Sequence, residues 1–93
     1  MELRLLRYFL TVAREESISG AAVFLHLSQP TLSRQMMDLE ESLGAKLFTR
    51  GNRKITLTEE GMLLRTRAAD TVALVDNTEA EFMARAAVLV GAG

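Results

Sequence analysis

One segment constrains the fold more than any other, because it carries signals for both ends of a helix. Ser28 has the side chain of a helix N-cap, and Pro30 follows in the first turn, where proline loses no intrahelical hydrogen bond. Gly44 suits the left-handed residue that ends a helix. Between them, apolar residues recur at spacings of four, three and four, at Leu32, Met36, Leu39 and Leu43. The segment therefore predicts an amphipathic helix between Ser28 and Gly44.

Helical spacing of apolar residues predicts two helices before this one and one after it. Residues 3–14 carry one stripe, formed by Leu6, Phe9, Leu10 and Ala13. Ser19 is the predicted N-cap of a short second helix, whose small Ala21 and Ala22 allow close approach of another helix. Thr58 is the predicted cap of a last helix that continues to about Val88, with Gly61 as a local weakness.

Two strand-like runs, 46–49 and 54–57, flank the turn Arg50-Gly51-Asn52-Arg53 and predict a β-hairpin. At 93 residues the chain is one small domain with an appended helix. The last helix carries a heptad-like seam that is a candidate dimer interface: Leu64, Ala68, Thr71, Val75, Thr78 and Phe82. Packing within the chain is the alternative interpretation of this seam.

Composition excludes several classes of function. The chain has no cysteine and a single histidine, His26, so we expect no disulfide scaffold, no metal site and no cysteine nucleophile. Nothing supplies a nucleophile–base pair or a phosphate-cradling glycine loop, so we expect neither an enzyme nor a cofactor. The longest apolar run, 86–90, is too short to span a membrane, and arginines interrupt the apolar N-terminus. We therefore expect a cytoplasmic protein.

The charge is unevenly distributed along the chain. Residues 1–58 hold eight Lys/Arg and six Asp/Glu, a charge of +2, whereas residues 59–93 hold three and six, a charge of −3. Residues 46–54 form a basic cluster, because they contain no acidic residue and carry Lys46, Arg50, Arg53 and Lys54. A local basic cluster of this kind is typical of nucleic-acid binding even where the net charge is −1.

Two short helices joined by a tight turn, the second polar at its start, indicate a helix-turn-helix motif. In such a motif Gln29, Thr31 and Arg34 can contact base edges, and Ser33 can hold a phosphate. The basic hairpin fits a wing, from which Arg50, Arg53 and Lys54 would reach the backbone or the minor groove.

Each of these features has a plainer interpretation. Ser-Gln-Pro-Thr also begins ordinary helices, and a basic hairpin is commonly a solvated turn. Glu40 and Glu41 are interpreted as a solvated helix flank. The alternative function is a protein-interaction module that uses the last helix and does not read DNA. The donor-rich helix start combined with the basic wing favours DNA.

The order and spacing of these motifs resemble a known family. Residues 1–60 closely resemble the winged helix-turn-helix domain of LysR-type transcriptional regulators. The likeness rests on Phe9, Ser17-Ile18-Ser19, Ala21-Ala22, residues 27–33 (Leu-Ser-Gln-Pro-Thr-Leu-Ser), Leu39-Glu40-Glu41, Leu43-Gly44, Leu47-Phe48, Arg50 and residues 57–61 (Leu-Thr-Glu-Glu-Gly). Residues 62–90 look like the linker helix of that family.

The resemblance implies a mainly helical fold: a winged helix-turn-helix over residues 1–58, with a β-hairpin wing, and a dimerising linker helix with a short tail over 59–93. It implies a homodimer on double-stranded DNA at an interrupted palindromic operator, in the bacterial cytoplasm at the nucleoid. The contacts it implies are Gln29, Pro30, Thr31, Ser33 and Arg34 on the recognition helix, Ser19 and Ser28 near phosphates, and Arg50, Arg53 and Lys54 on the wing.

The chain departs from the family in three places. Glu16-Ser17-Ile18 stands where the family commonly has Gly-Ser-Phe, so we expect different packing at that edge of the core. Asp38 would repel phosphates, which suggests weaker backbone affinity or a distinct half-site. A full-length member carries an effector-binding domain after the linker helix, so we expect a small-molecule effector only in a domain outside this chain.

Overall fold

Within the part of the chain that the structure describes, four helices and one two-stranded sheet follow the predicted order. The structure is a computed structural model and describes residues 1–51 and 54–91. The elements are α1 (Leu3–Glu15), α2 (Ile18–Leu25), α3 (Gln29–Leu43), β1 (Phe48–Arg50), β2 (Ile55–Leu57) and α4 (Glu59–Gly91). The strands are antiparallel, with Phe48 opposite Leu57 and Arg50 opposite Ile55. The predicted fold class, mainly helical with a hairpin wing and a long last helix, is confirmed.

The hydrophobic core forms around α1, against which α2, α3 and α4 all pack. Phe9 and Val12 of α1 are completely buried, and so are Leu32 and Leu39 of α3. The Phe9 ring lies 5.4 Å from that of Phe48, centroid to centroid, so β1 is attached to the same core. The buried stripe of α1 is rotated from the predicted one: Leu5, Leu6, Phe9 and Val12 are buried, whereas Leu10 and Ala13 are half-buried.

The cap of α2 is Ser17, and the prediction of Ser19 was wrong. Ser17 Oγ accepts from the Gly20 N–H at 3.0 Å, as an N-cap does with the residue three positions on. Glu16 ends α1 in the left-handed region at a φ of 55°, which makes Ser17 the extended residue from which α2 begins. Ser19 already lies in the first turn, and its hydroxyl lies 2.9 Å from that of Ser17.

Both predicted ends of α3 are confirmed. Ser28 is its N-cap, and Ser28 Oγ accepts from the Thr31 N–H at 3.2 Å. Gly44 follows the last turn at a φ of 66°, the left-handed conformation that costs glycine little. The short α2 packs close to α1 through Ala21 and Ala22, which are both buried, as their small side chains predict.

The junction between the hairpin and α4 depends on close approach of two backbones. Thr58 Oγ1 donates to the Lys46 carbonyl at 2.6 Å and accepts from the Gly61 N–H at 3.0 Å. The Thr58 N–H donates to the Leu47 carbonyl. A Cβ built at Gly61 would overlap that same Leu47 oxygen. Gly61 is therefore required for packing, and its interpretation as a mere local weakness was wrong.

Glu40 has a structural role that the sequence around it does not indicate, because its carboxylate bonds to the backbone before the hairpin. Its Oε2 accepts from the Leu47 N–H at 2.8 Å, and the Glu40 side chain is only 13% exposed. Glu40 thus holds the start of the hairpin against α3, and the interpretation of a solvated flank was wrong for it. Glu41, the next residue, is exposed as expected.

Replacement of Glu40 by alanine is expected to lower the free energy of unfolding by about 1–3 kcal/mol, because the Leu47 N–H would lose its partner inside the protein. Leu47 is 1% exposed, so water cannot easily replace the carboxylate. Denaturant unfolding of Glu40→Ala beside Glu41→Ala measures this effect, and Glu41→Ala is expected to stay within about 0.5 kcal/mol of the unaltered chain. Equal losses in the two variants would contradict the assigned role.

The candidate dimer seam on α4 divides into two parts. Leu64 and Ala68 belong to the core of their own chain, with 8% and 1% exposure, so their assignment to a dimer interface was wrong. They face inward because the first turns of α4 pack on α1 and β2. Val75 is half-buried, while Thr71, Thr78 and Phe82 are exposed. The division of the chain at residue 58 stays a prediction.

An ion pair joins α4 to α1 near the middle of the long helix. Arg7 Nη2 lies 2.6 Å from Asp76 Oδ1, and Arg7 Nη1 donates to Asp76 Oδ2 at 3.3 Å. The hydrogen bond from Arg7 lowers the pKa of the Asp76 carboxyl, and the same bond raises the pKa of Arg7. Both groups are exposed, so the pair orients the helix more than it stabilises the fold. No helix in the described ranges could cross a membrane.

Candidate nucleic-acid interface

The predicted DNA contacts fall mainly on the N-terminal half of α3 and on the hairpin, which we call the wing. His26 follows the last residue of α2 and adopts a left-handed φ of 58°, and α3 begins three residues after His26. This tight turn leaves the start of α3 projecting from the body. Gln29, Pro30, Thr31 and Arg34 are all exposed there, and Ser33 is half-buried. The predicted recognition residues therefore share one accessible end of one helix.

The Ser28 cap also orients Thr31. Ser28 Oγ donates to Thr31 Oγ1 at 2.8 Å while accepting from the Thr31 N–H. The Thr31 hydroxyl proton is consequently not needed for the cap and remains able to donate outward. Since the Ser28 hydroxyl already donates its proton to Thr31 Oγ1, a phosphate that approached Ser28 would have to compete with Thr31 for that proton.

The wing is attached directly to the recognition helix. Arg50 Nη2 donates to Ser33 Oγ at 3.1 Å, across 17 residues of sequence. The two residues were predicted separately as a backbone contact and a wing contact, and the structure places them side by side. Arg50 is exposed, so its remaining N–H groups face outward, and Ser33 restricts where its guanidinium lies.

Two open clefts with shared walls lie between α3, α2 and the wing. The first, of about 530 Å³, is lined by Ile18, Gln29, Pro30, Ser33 and Arg50. The second, of about 380 Å³, is lined by residues 16–19, Gln29, Arg50, Gly51, Lys54 and Ile55. We call the two together the interface groove. It brings predicted residues from three separate segments, including Ser19 and Lys54, to one place.

Three predicted residues lie outside the groove walls. Ser28, Thr31 and Arg34 are exposed on α3 but do not line either cleft. Arg53, predicted as a wing contact, lies outside the described residues. The role of each of these residues in binding stays a prediction.

Among the groove residues that the sequence did not predict, Glu16 is the charged one. Lys54 Nζ lies 3.0 Å from Glu16 Oε2, which places an acidic group among the predicted contacts. In the sequence Glu16 stands out as a departure from the glycine that is common in the family, but that departure does not indicate a partner 38 residues further on. Among the described residues no cluster of His, Cys, Asp or Glu could hold a metal ion.

The far half of α4 presents apolar side chains that nothing in the described chain covers. Leu74, Phe82, Met83, Val88 and Leu89 are each more than two-thirds exposed. At 100° per residue Phe82 lies on the same face as Leu64 and Val75, beyond the end of the core. The molecule is 59 Å long and only 25 Å across, because α4 extends past the other elements.

Comparisons with known proteins agree on one family. The family model described as "Bacterial regulatory helix-turn-helix protein, lysR family" matches residues 3–62. The HTH-type transcriptional regulator BsdA of Bacillus subtilis is 49% identical over 71 residues, which cover 75% of this chain and 24% of that protein. This chain therefore corresponds to about a quarter of that relative's length.

Solved structures include close matches that contain DNA. The BenM_DBD/catB site 1 DNA complex is similar with a TM-score of 0.89 and 42% identity, over 92% of this chain and 97% of that one. The CbnR_DBD–DNA complex gives a TM-score of 0.87 and 38% identity, over 92% and 99%. The fold and the order of elements in this chain are thus those of domains whose structures were determined on DNA.

Proposed function

The chain belongs to the lysR family of bacterial regulatory helix-turn-helix proteins, and from this premise we propose that it binds double-stranded DNA sequence-specifically to regulate transcription. The observation that carries the proposal is the interface groove, where Gln29 of the recognition helix and Arg50 of the wing line the same open surface. One group can read a base edge while the other holds the adjacent backbone.

The contacts divide into two classes. Gln29, Thr31 and Arg34 are the proposed readers of base edges in the major groove, and Pro30, which lines the same cleft as Gln29, is a further proposed contact of the recognition helix. Arg50 and Lys54, together with Arg53, are the proposed wing contacts, and Ser19, Ser28 and Ser33 lie where a phosphate can approach. Residues 1–58, the segment that carries all of these contacts, have a net charge of +2, and such a charge favours a polyanion.

The functional unit that we propose is a homodimer on an interrupted palindrome. The exposed apolar residues of α4, Phe82 above all, support it, because a single chain leaves them in water. Thr71, Val75, Thr78 and Phe82 are the proposed members of the interface. A small-molecule effector would act on a domain outside this chain. A regulator of this kind works in the bacterial cytoplasm, at the nucleoid.

Selection from a randomised duplex pool tests the proposal, followed by titration of the selected duplex at 50 and 200 mM salt with random competitor. We expect enriched sites with two related half-sites about 10–10.5 base pairs apart or a multiple of that spacing. Affinity should fall on the order of 10³-fold or more between the two salt concentrations if six or more phosphates are contacted. A pool that shows no enrichment, with binding abolished by competitor, would reject sequence-specific binding. Enrichment of single half-sites would reject the dimer.

A further inference from the structure

Glu16 contacts the wing through both its backbone and its side chain. Its carbonyl accepts from the Ile55 N–H at 3.0 Å, and its carboxylate forms the ion pair with Lys54. Glu16 is one of two non-glycine residues with positive φ in the described ranges, and this conformation turns the chain toward the wing. The backbone bond to Ile55 does not depend on which side chain occupies position 16.

The carboxylate of Glu16 lies among the residues that would contact DNA if the proposed function is correct. Glu16 lines the same cleft as Gln29 and Arg50, and these two are the proposed base reader and wing contact. An acidic side chain there repels phosphates directly. It also neutralises one of the cations of the wing.

The ion pair adds little to the stability of the fold. The Lys54 side chain is 72% exposed and that of Glu16 is 51% exposed, and exposed pairs contribute little because water screens them. A side chain that is dispensable for wing attachment and nearly neutral for stability can still change the field that an approaching polyanion meets.

We propose that Glu16 is a positioning residue that restrains DNA affinity by holding Lys54 in place of a phosphate. The inference rests on the proposed DNA-binding function and deepens it. Lys54 can bind a DNA phosphate only after its ammonium group leaves Glu16. In the unaltered chain Lys54 therefore contributes less to DNA affinity than a free cation would. Glu16 therefore sets how many phosphates the wing neutralises, and with them the salt dependence of binding.

Replacement of Glu16 by glutamine removes the charge and keeps the shape and the left-handed backbone. We expect this variant to bind its selected duplex about three- to tenfold more tightly at 50 mM salt, with a salt slope steeper by about 0.9, the value of one further phosphate contact. Glu15→Gln is the matched control. It makes the same change in net charge one residue away, but Glu15 pairs with Arg14 at 3.0 Å and does not line the cleft. Glu15→Gln should leave the slope unchanged.

Lys54→Ala in two backgrounds distinguishes the ion pair from a general charge effect. The substitution should cost more affinity in Glu16→Gln, where it should also abolish the gain, than in the unaltered chain, where Glu16 already holds Lys54. Glu16→Gly removes the carboxylate and relieves the left-handed conformation. It should raise the melting temperature, and it should steepen the salt slope as Glu16→Gln does.

Equal slopes for Glu16→Gln and Glu15→Gln, or equal effects of Lys54→Ala in both backgrounds, would overturn the inference while DNA binding stands. Failure of the unaltered chain to select any duplex would instead reject the proposed function, and this inference with it.

Discussion

Gly61→Ala is expected to lower the free energy of unfolding by about 2–3 kcal/mol, although alanine is the better helix former. The added Cβ would overlap the Leu47 carbonyl oxygen and lie 3.2 Å from Leu57 Cβ. Neither neighbour can move freely, because the Leu47 oxygen accepts from the Thr58 N–H and Leu47 is buried in the core. The clash must separate α4 from the hairpin or displace β1 from α1.

The control for this prediction is the same substitution at a glycine in another helix. A Cβ at Gly20 in α2 would lie 3.5 Å from Ser17 Oγ and 3.6 Å from the Glu15 side chain, which are ordinary contacts. Gly20→Ala should therefore stabilise the chain by up to about 1 kcal/mol, the difference in helix propensity. Urea unfolding of both variants measures the contrast. Similar changes of stability at the two positions would show that close approach is not what Gly61 provides.

Gly61 and Glu40 show what the sequence could not predict. Helix periodicity, the Ser28 cap and the left-handed Gly44 are local signals, and each correctly located an element. The need for a glycine at position 61 arises instead from the approach of the Leu47 carbonyl, 14 residues earlier. Glu40 likewise finds its partner at Leu47 only after the chain has turned at Gly44. Such contacts exist in the folded chain alone, and no local pattern indicates them.

The candidate site was predictable to a different degree. The recognition residues share one helix, so its N-cap and period placed them correctly together on an exposed face. Their relation to the wing was not predictable, because the Arg50–Ser33 hydrogen bond and the Glu16–Lys54 ion pair join separate segments. The wrong prediction of Ser19 as the cap of α2 has a different cause. Both Ser17 and Ser19 can cap a helix, and which of them does so depends on where α1 ends, at Glu16.

Gln29→Ala is expected to remove most discrimination at one base pair of each half-site. The exposed Gln29 lines both clefts of the interface groove, and its amide can form two hydrogen bonds with one adenine. Loss of such a bidentate contact costs about 1–3 kcal/mol per half-site, which is about 2–6 kcal/mol over the two half-sites, so affinity for the selected duplex should fall about 30-fold or more. Binding to random duplex should be nearly unchanged, because the amide carries no charge.

The salt slope separates a base contact from a phosphate contact. Gln29→Ala should leave it unchanged, since no counterion is released on account of a neutral side chain. Gln35→Ala is the matched control: it removes the same amide from the same helix, but Gln35 is half-buried and does not line the groove. We expect Gln35→Ala to keep the selected sequence preference. Equal losses of affinity for selected and random duplexes after Gln29→Ala would show that Gln29 contacts the DNA backbone. Base reading would then be assigned to Thr31 and Arg34, the other exposed donors at the start of α3.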